Sequence, residues 1–251
     1  MFKDLYFRDL RSRFIGSHTG WLWLIVNPLL MLLVYALVFG TIFKARVPEG
    51  LDAPFVVWLA VALWPWLAFS EAISRASESM PSHKALISKV AVPRELLTLS
   101  NASSAFTLQL TGYAIVLVVI AALGARLTPV GFPNVIFVLL TLYILATGIG
   151  WFVSALRVFI PDLDHLLPTL LMFWFFMTPI IYAAELLPPV LQPLTVINPL
   201  AALVEDLRAA LLAGQWMPST ASVVILLVAI AINYAGWRFY SFLKPHFEDF
   251  L

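Results

Sequence analysis

Residues 21–43 run for 23 positions without a charge, directly behind a basic segment, and this limits what the chain can become. Wound as a helix, a stretch of that length crosses the roughly 30 Å hydrocarbon core of a bilayer. Similar apolar runs recur at about 53–73, 96–123, 132–156, 166–184 and 220–237. Hydrophobic residues make up 62% of the chain and charged residues 12%, about half the charge that solvates an ordinary soluble domain. A mean hydropathy of +0.95 agrees. The pattern predicts an all-α polytopic membrane protein with six transmembrane helices and little extramembrane mass. The first run is too long for a signal-peptide core, and no small-residue cleavage site follows it.

Two segments depart from the spanning pattern. In 1–15, Phe2, Leu5, Tyr6, Leu10 and Phe14 recur at helical spacing among Lys3, Arg8, Arg11 and Arg13. This suits an amphipathic helix at the membrane surface, basic side toward headgroups; a plain basic flank orienting the first span is the other reading. The stretch 186–204 is uncharged but contains Pro188, Pro189, Pro193 and Pro199. Four prolines in one lipid-exposed helix would strand backbone groups in hydrocarbon. We therefore expect a re-entrant helical hairpin over 186–214, its second helix running from about Pro199 to Leu212 and ending at Gly214. The basic residues set the orientation. With the N-terminus inside, Lys3, Arg8, Arg11, Arg13, Arg75, Lys84, Lys89, Arg94, Arg157, Arg238 and Lys244 face the cytoplasm, and Lys44, Arg46, Arg126 and Arg208 face out. That asymmetry follows the positive-inside rule and returns the C-terminus to the cytoplasm.

Candidate chemistry is sparse. The four histidines lie in separate segments and none has metal-ligand spacing; a phosphate-binding G-x-x-x-x-G-K-[ST] motif is absent. No span centre holds an ionisable residue, which argues against an ion-coupled carrier. Asp162 and Asp164 either pair with Arg157 or cap the fifth span. A net charge of +1 implies no nucleic-acid partner. In the long cytoplasmic loop, 81–92 is bracketed by Pro81 and Pro93 and carries Lys84, Leu86, Ile87 and Lys89. It reads either as a short amphipathic helix docking on a soluble partner or as a basic surface loop. Aromatic residues are dense. Tyr35, Phe39 and Phe43 form a stripe with Met31, and Phe173, Trp174 and Met177 lie close together on the fifth span, with Tyr182 beyond. Such rings either line a path for a glycan, stacking on sugar faces, or contact lipid.

The segment Arg11-Ser-Arg13-Phe-Ile-Gly16-Ser17-His-Thr-Gly20-Trp-Leu-Trp23, followed by Asn27-Pro28-Leu29 and Val38-Phe39-Gly-Thr-Ile-Phe43, resembles the membrane subunit of ABC-2 type polysaccharide exporters, which move O-antigen, teichoic acid or capsular glycans. Thr178-Pro179-Ile180-Ile-Tyr182 with Leu187-Pro188, and Asn198-Pro199-Leu200 with Glu205, Arg208 and Gly214, extend the resemblance along nearly the whole chain. A departure lies before the fifth span, where the family commonly shows Phe-Arg-Asp and this chain has Ile160-Pro161-Asp162.

The resemblance implies one ABC-2 transmembrane domain over 1–251, working as a homodimer with two separate ATP-binding cassette subunits that bind ATP and Mg; it implies no cofactor in this chain. It implies a lipid-linked glycan substrate, a multi-pass place in the bacterial inner membrane, an interface helix bearing Arg8, Arg11 and Arg13, a coupling helix at 81–92, and an outer gate including Pro199, Glu205 and Arg208. Two other classes stay in view: an ABC-2 permease for a drug or lipid, and an integral membrane enzyme acting on lipid-linked sugars.

Overall fold

The computed structural model describes residues 1–12, 22–43, 47, 53–87, 92–190 and 192–250, and among them every regular element is helical. Helix α1 (Phe2–Ser12) precedes α2 (Trp23–Tyr35), which continues as a π-helix over Ala36–Ile42. Then come α3 (Phe55–Ser82), the one-turn α4 (Lys84–Ile87), α5 (Arg94–Ala122), α6 (Phe132–Phe159) and α7 (Leu163–Met177). The short α8 (Gln192–Ile197), α9 (Pro199–Ala213) and α10 (Thr220–Leu243) complete the chain. Among the described residues, five helical stretches are long and apolar enough to cross a membrane: Ile25–Ile42, Phe55–Ser82, Arg94–Ala122, Pro129–Phe159 and Thr220–Phe247. The apolar α7, 15 residues long, is shorter than a full crossing.

Helix α3 is the hub. Leu59, Ala60, Val61, Ala62, Ala68, Phe69, Ala72 and Ile73 have no exposed surface, because α5, α6, α7 and α9 all pack around it. Small alanines let those neighbours approach closely. Pro65 sits inside α3 and cannot donate to the carbonyl four residues earlier. That carbonyl belongs to Val61, and the buried Tyr113 hydroxyl of α5 donates to it at 3.2 Å. The helix thus passes its proline with the freed acceptor satisfied, as an apolar interior requires.

Helices α6 and α10 make the other close pair. A Cβ on Gly148 would lie 2.8 Å from the Asn233 backbone, and one on Gly236 would collide with the Gly148 carbonyl. Only glycine at both positions permits this approach, the small-residue packing typical of membrane helices. Asn233 fastens the crossing by donating to the Ile144 carbonyl (2.9 Å) and the Thr147 hydroxyl (2.7 Å). Toward the chain termini, buried Ser79, Thr98 and Ser154 from α3, α5 and α6 converge with oxygen separations of 2.9–3.2 Å.

Several predicted boundaries shift for identifiable reasons. Helix α3 does not stop near Ile73: Arg75 reaches Glu71 and Glu78, both at 2.9 Å, and this i,i+4 and i,i+3 ladder carries the helix beyond its apolar run. Pro81 therefore lies in the last turn of α3 rather than opening a coupling helix. Of the predicted 81–92 helix, one separate turn is described, and residues 88–91 fall outside the described residues. Helix α7 ends at Met177, not Ala184, since Thr178 is extended and Pro179 follows. Helix α10 continues past Trp237 to Leu243. The N-terminal helix ends at Ser12; residues 13–15 fall outside the described residues.

Candidate functional site

Helices α2, α3 and α7 bound an open groove. Tyr35, Trp66 and Phe175 supply rings, Leu63, Leu67 and Leu171 the apolar floor, and Ser70, Glu71 and Ser74 a polar strip along α3, around a cavity of about 250 Å3. The strip follows from helix geometry, because positions 70, 71 and 74 project to one side. The Ser70 and Ser74 hydroxyls bond to carbonyls of their own helix, at Leu67 and Ser70, which leaves their oxygen lone pairs for another donor. Behind the groove, Trp174 meets Phe69 edge-on with centroids 5.3 Å apart, and Trp66 lies 5.7 Å from Phe175. The Tyr35–Phe39 and Phe39–Phe43 rings stack at 5.8 and 5.7 Å along the π-helical stretch. Tyr35 and Phe39 pack partly against the core, whereas Phe43 is 68% exposed.

At the far end of the groove, a polar knot joins α7 to α9. Asn198 is the N-cap of α9: its Oδ1 accepts from the Leu200 N–H at 3.1 Å, the usual duty of asparagine there. The same oxygen accepts from the Trp174 indole N–H at 3.0 Å. The Asn198 amide donates back to the Met177 carbonyl (3.2 Å) and the Thr178 hydroxyl (2.9 Å). Trp174, Met177 and Pro199, drawn from separate sequence arguments, line one cavity of about 270 Å3 beside this knot. The Tyr182 hydroxyl turns back to the Phe176 carbonyl at 2.7 Å. Phe173 points outward, 64% exposed.

Arg208 completes the knot. Only 3% exposed, it donates to the carbonyls of Pro179 (2.9 Å) and Ile180 (3.0 Å), pairs with Glu205 at 2.7 Å, and stacks 3.3 Å over the Trp58 ring. Burial pulls its pKa down to about 10, against the opposing pull of Glu205 and Glu185, so it remains charged at neutral pH. Arg208 thus faces the protein interior, while Glu205, 55% exposed at its side chain, faces out. Asp206, which the sequence reading passed over, is buried and accepts at 2.8 Å from the N–H of Ser219, the residue whose hydroxyl caps α10. Gly214 ends α9 in the left-handed conformation, φ 75°, where glycine is favoured.

The remaining predicted residues lie apart from the groove. Arg8 and Arg11 are exposed on α1; Arg13 and Lys89 fall outside the described residues, as does the Leu86 side chain. Lys84 is exposed, and Ile87 packs on a small cluster with Leu5, Met80 and Phe247. Arg157 pairs with Asp164 at 2.6 Å and donates to Ser77 at 3.2 Å; Asp162 makes no capping bond. Trp66, Ser70 and Asn198 were missed as site residues. The Trp64-Pro65-Trp66 run was the available signal for the first.

The described residues form an all-helical bundle with membrane-length helices and an aromatic groove edged by a polar strip. The ABC-2 type transporter family matches residues 2–212 of this chain, and the chain belongs to that family. It is 24% identical over 97% of its length to the O-antigen export system permease protein RfbA of Klebsiella pneumoniae, covering 92% of that protein. The Myxococcus xanthus protein of the same name is 26% identical over 96% of this chain and 92% of its own. The polysialic acid transport protein KpsM of Escherichia coli is 23% identical over 95% of this chain and 91% of its own.

Proposed function

We propose that the chain is the membrane subunit of an ATP-driven exporter that moves a lipid-linked polysaccharide across the bacterial inner membrane. The observation that carries this reading is the α2–α3–α7 groove, where aromatic faces stand opposite a hydroxyl and carboxylate strip. A sugar ring has one kind of surface for each: its C–H face stacks on Tyr35, Trp66 or Phe175, and its hydroxyls reach Ser70, Glu71 and Ser74. Neither contact fixes a particular residue of the polymer, so successive sugars slide past without a deep binding minimum. A wholly apolar drug or lipid would gain nothing from the polar strip. The RfbA and KpsM likenesses favour glycan on independent grounds.

In this reading two copies face each other across α2 and α7, and two ATP-binding cassette subunits bind ATP and Mg below the end that carries α4. Both termini lie in the cytoplasm, in keeping with the distribution of basic residues. ATP hydrolysis belongs to the partner, and the purified chain alone should hydrolyse none. The deciding experiment replaces Trp66 and Tyr35 by Ala, separately, in cells that depend on the chain for surface glycan. Export should fall at least several-fold with normal membrane insertion and normal co-purification of the ATPase. Wild-type export from both variants would remove the groove from the transport path.

A further inference from the structure

A second cavity, about 600 Å3, lies between α1, α5 and α6. Phe7 and Phe106 form its walls and Tyr143 its depth. The Tyr143 hydroxyl donates to Ser103 (2.6 Å), whose own hydroxyl donates to the Leu99 carbonyl (2.6 Å). The deep wall therefore presents ring, not free donors. The mouth differs: Lys3 lines it, and the exposed Arg8 and Arg11 share its helix; Asp4 does not line it. Helix α1 is held against α5 by the Ser104 hydroxyl, which donates to Asp9, and by the buried Leu5. The charges of α5 cease after Glu95 and the helix is uncharged to Ala122. The α5 residues that line the cavity, Ser103, Phe106 and Thr107, thus lie within that uncharged stretch.

We infer that this cavity is a binding site for one anionic phospholipid of the surrounding leaflet, its acyl chain between α1 and α5–α6 and its phosphate at Lys3. Water gains little in an apolar cleft open to the bilayer, and a cationic mouth over an apolar depth matches an anionic amphiphile in both parts. The lipid would act as a wedge that sets how closely α1 lies on α5. The site is separate from the groove assigned to the glycan, so this inference stands whether or not that assignment does.

The test uses the detergent-purified complex of the chain with its ATPase. Dioleoyl phosphatidylglycerol or dioleoyl phosphatidylcholine is added, and retained lipids are counted by native mass spectrometry. One phosphatidylglycerol per chain should persist at concentrations that strip phosphatidylcholine. Lys3→Gln, at an exposed position, should weaken phosphatidylglycerol retention about fivefold and leave phosphatidylcholine unchanged, the effect of one basic residue at a lipid surface. Thr107→Trp, exposed and on the cavity lining, should fill the space and abolish retention, whereas Thr107→Leu should keep it. Equal retention of the two lipids by the wild type, or unchanged retention in Lys3→Gln or Thr107→Trp, would overturn the site. So would displacement of phosphatidylglycerol by an equal concentration of polyprenyl phosphate, which would assign the cavity to an export carrier.

Discussion

Removing Arg208 should unfasten the α7–α9 end of the bundle, and the structure sets the size of the effect. Arg208→Ala leaves the Pro179 and Ile180 carbonyls without their donor in a buried setting and strips the Trp58 ring of its cation. Each hydrogen bond from a charged group contributes about 1.5–3 kcal/mol, and a desolvated cation–π contact about 2. These terms overlap, and two buried carbonyls left without a donor, at about 1–3 kcal/mol each, set the expected loss at about 3–5 kcal/mol. For a chain of this size that corresponds to a drop of roughly 6–20 °C in melting temperature. Glu205→Ala removes a 55% exposed partner and leaves both carbonyl contacts and the Trp58 stack intact, so it should cost less, about 1 kcal/mol, that of one hydrogen bond. Arg208→Lys keeps the charge but not the fork and should fall between. The assay is thermal unfolding of the three variants in one detergent, with membrane insertion checked beforehand. Arg208→Ala melting within about 2 °C of wild type, or Glu205→Ala as damaging as Arg208→Ala, would refute the assignment of Arg208 as an internal brace.

Tyr113→Phe should destabilise by about 1–3 kcal/mol by orphaning the Val61 carbonyl; in a Pro65→Ala background the cost should shrink, because the restored amide takes over that acceptor, and a double-mutant melting cycle reads the difference. Gly148→Leu and Gly236→Leu should each prevent α6 and α10 from closing, giving protein that inserts but fails to co-purify with its ATPase. Glu71→Gln should lower export while sparing assembly, since the α3 ladder keeps its Arg75–Glu78 rung; unchanged export would place the polar strip outside the path. Cysteines at Tyr35 and Phe39 should react with a water-soluble thiol reagent during transport, and those at Leu33 and Leu37, exposed on the other side of α2, should not; equal labelling of all four would put the stripe in lipid.

The helices that cross the bilayer could be read from apolar run length, because hydrocarbon forces one solution on the backbone. Several of their ends could not. A run of apolar residues marks where lipid stops, whereas α3 continues on its Glu71–Arg75–Glu78 ladder and α7 stops early because Asn198 and Arg208 take up the peptide groups behind it. The broken outer segment was legible through its prolines and Gly214. Tyr35 and Trp174 were legible as site candidates by type and spacing. Their neighbours Trp66 and Ser70 were not, since assigning them needs the α2–α3–α7 arrangement, a long-range fact that no local pattern carries. Arg208 illustrates the converse: the sequence grouped it with Glu205 in an outer gate, and the fold turns it inward onto Trp58.

The burial of α3 divides the molecule into a chassis and a moving panel. Apart from the groove strip at Ser70, Glu71 and Ser74, α3 is gripped by its neighbours, and the Val61 carbonyl that Pro65 leaves free is occupied. In the exporter proposed above, a push near Ser82 would travel about 40 Å to Phe55 as displacement of a block, carrying α5, α6 and α9 with it. Helix α2 is the opposite case: only 6% of its apolar window is buried within the chain. What this subunit does not clasp, it can slide. In that proposed exporter, an opening stroke would shift the chassis against α2, and its resistance would be set by whatever covers that bare helix from outside.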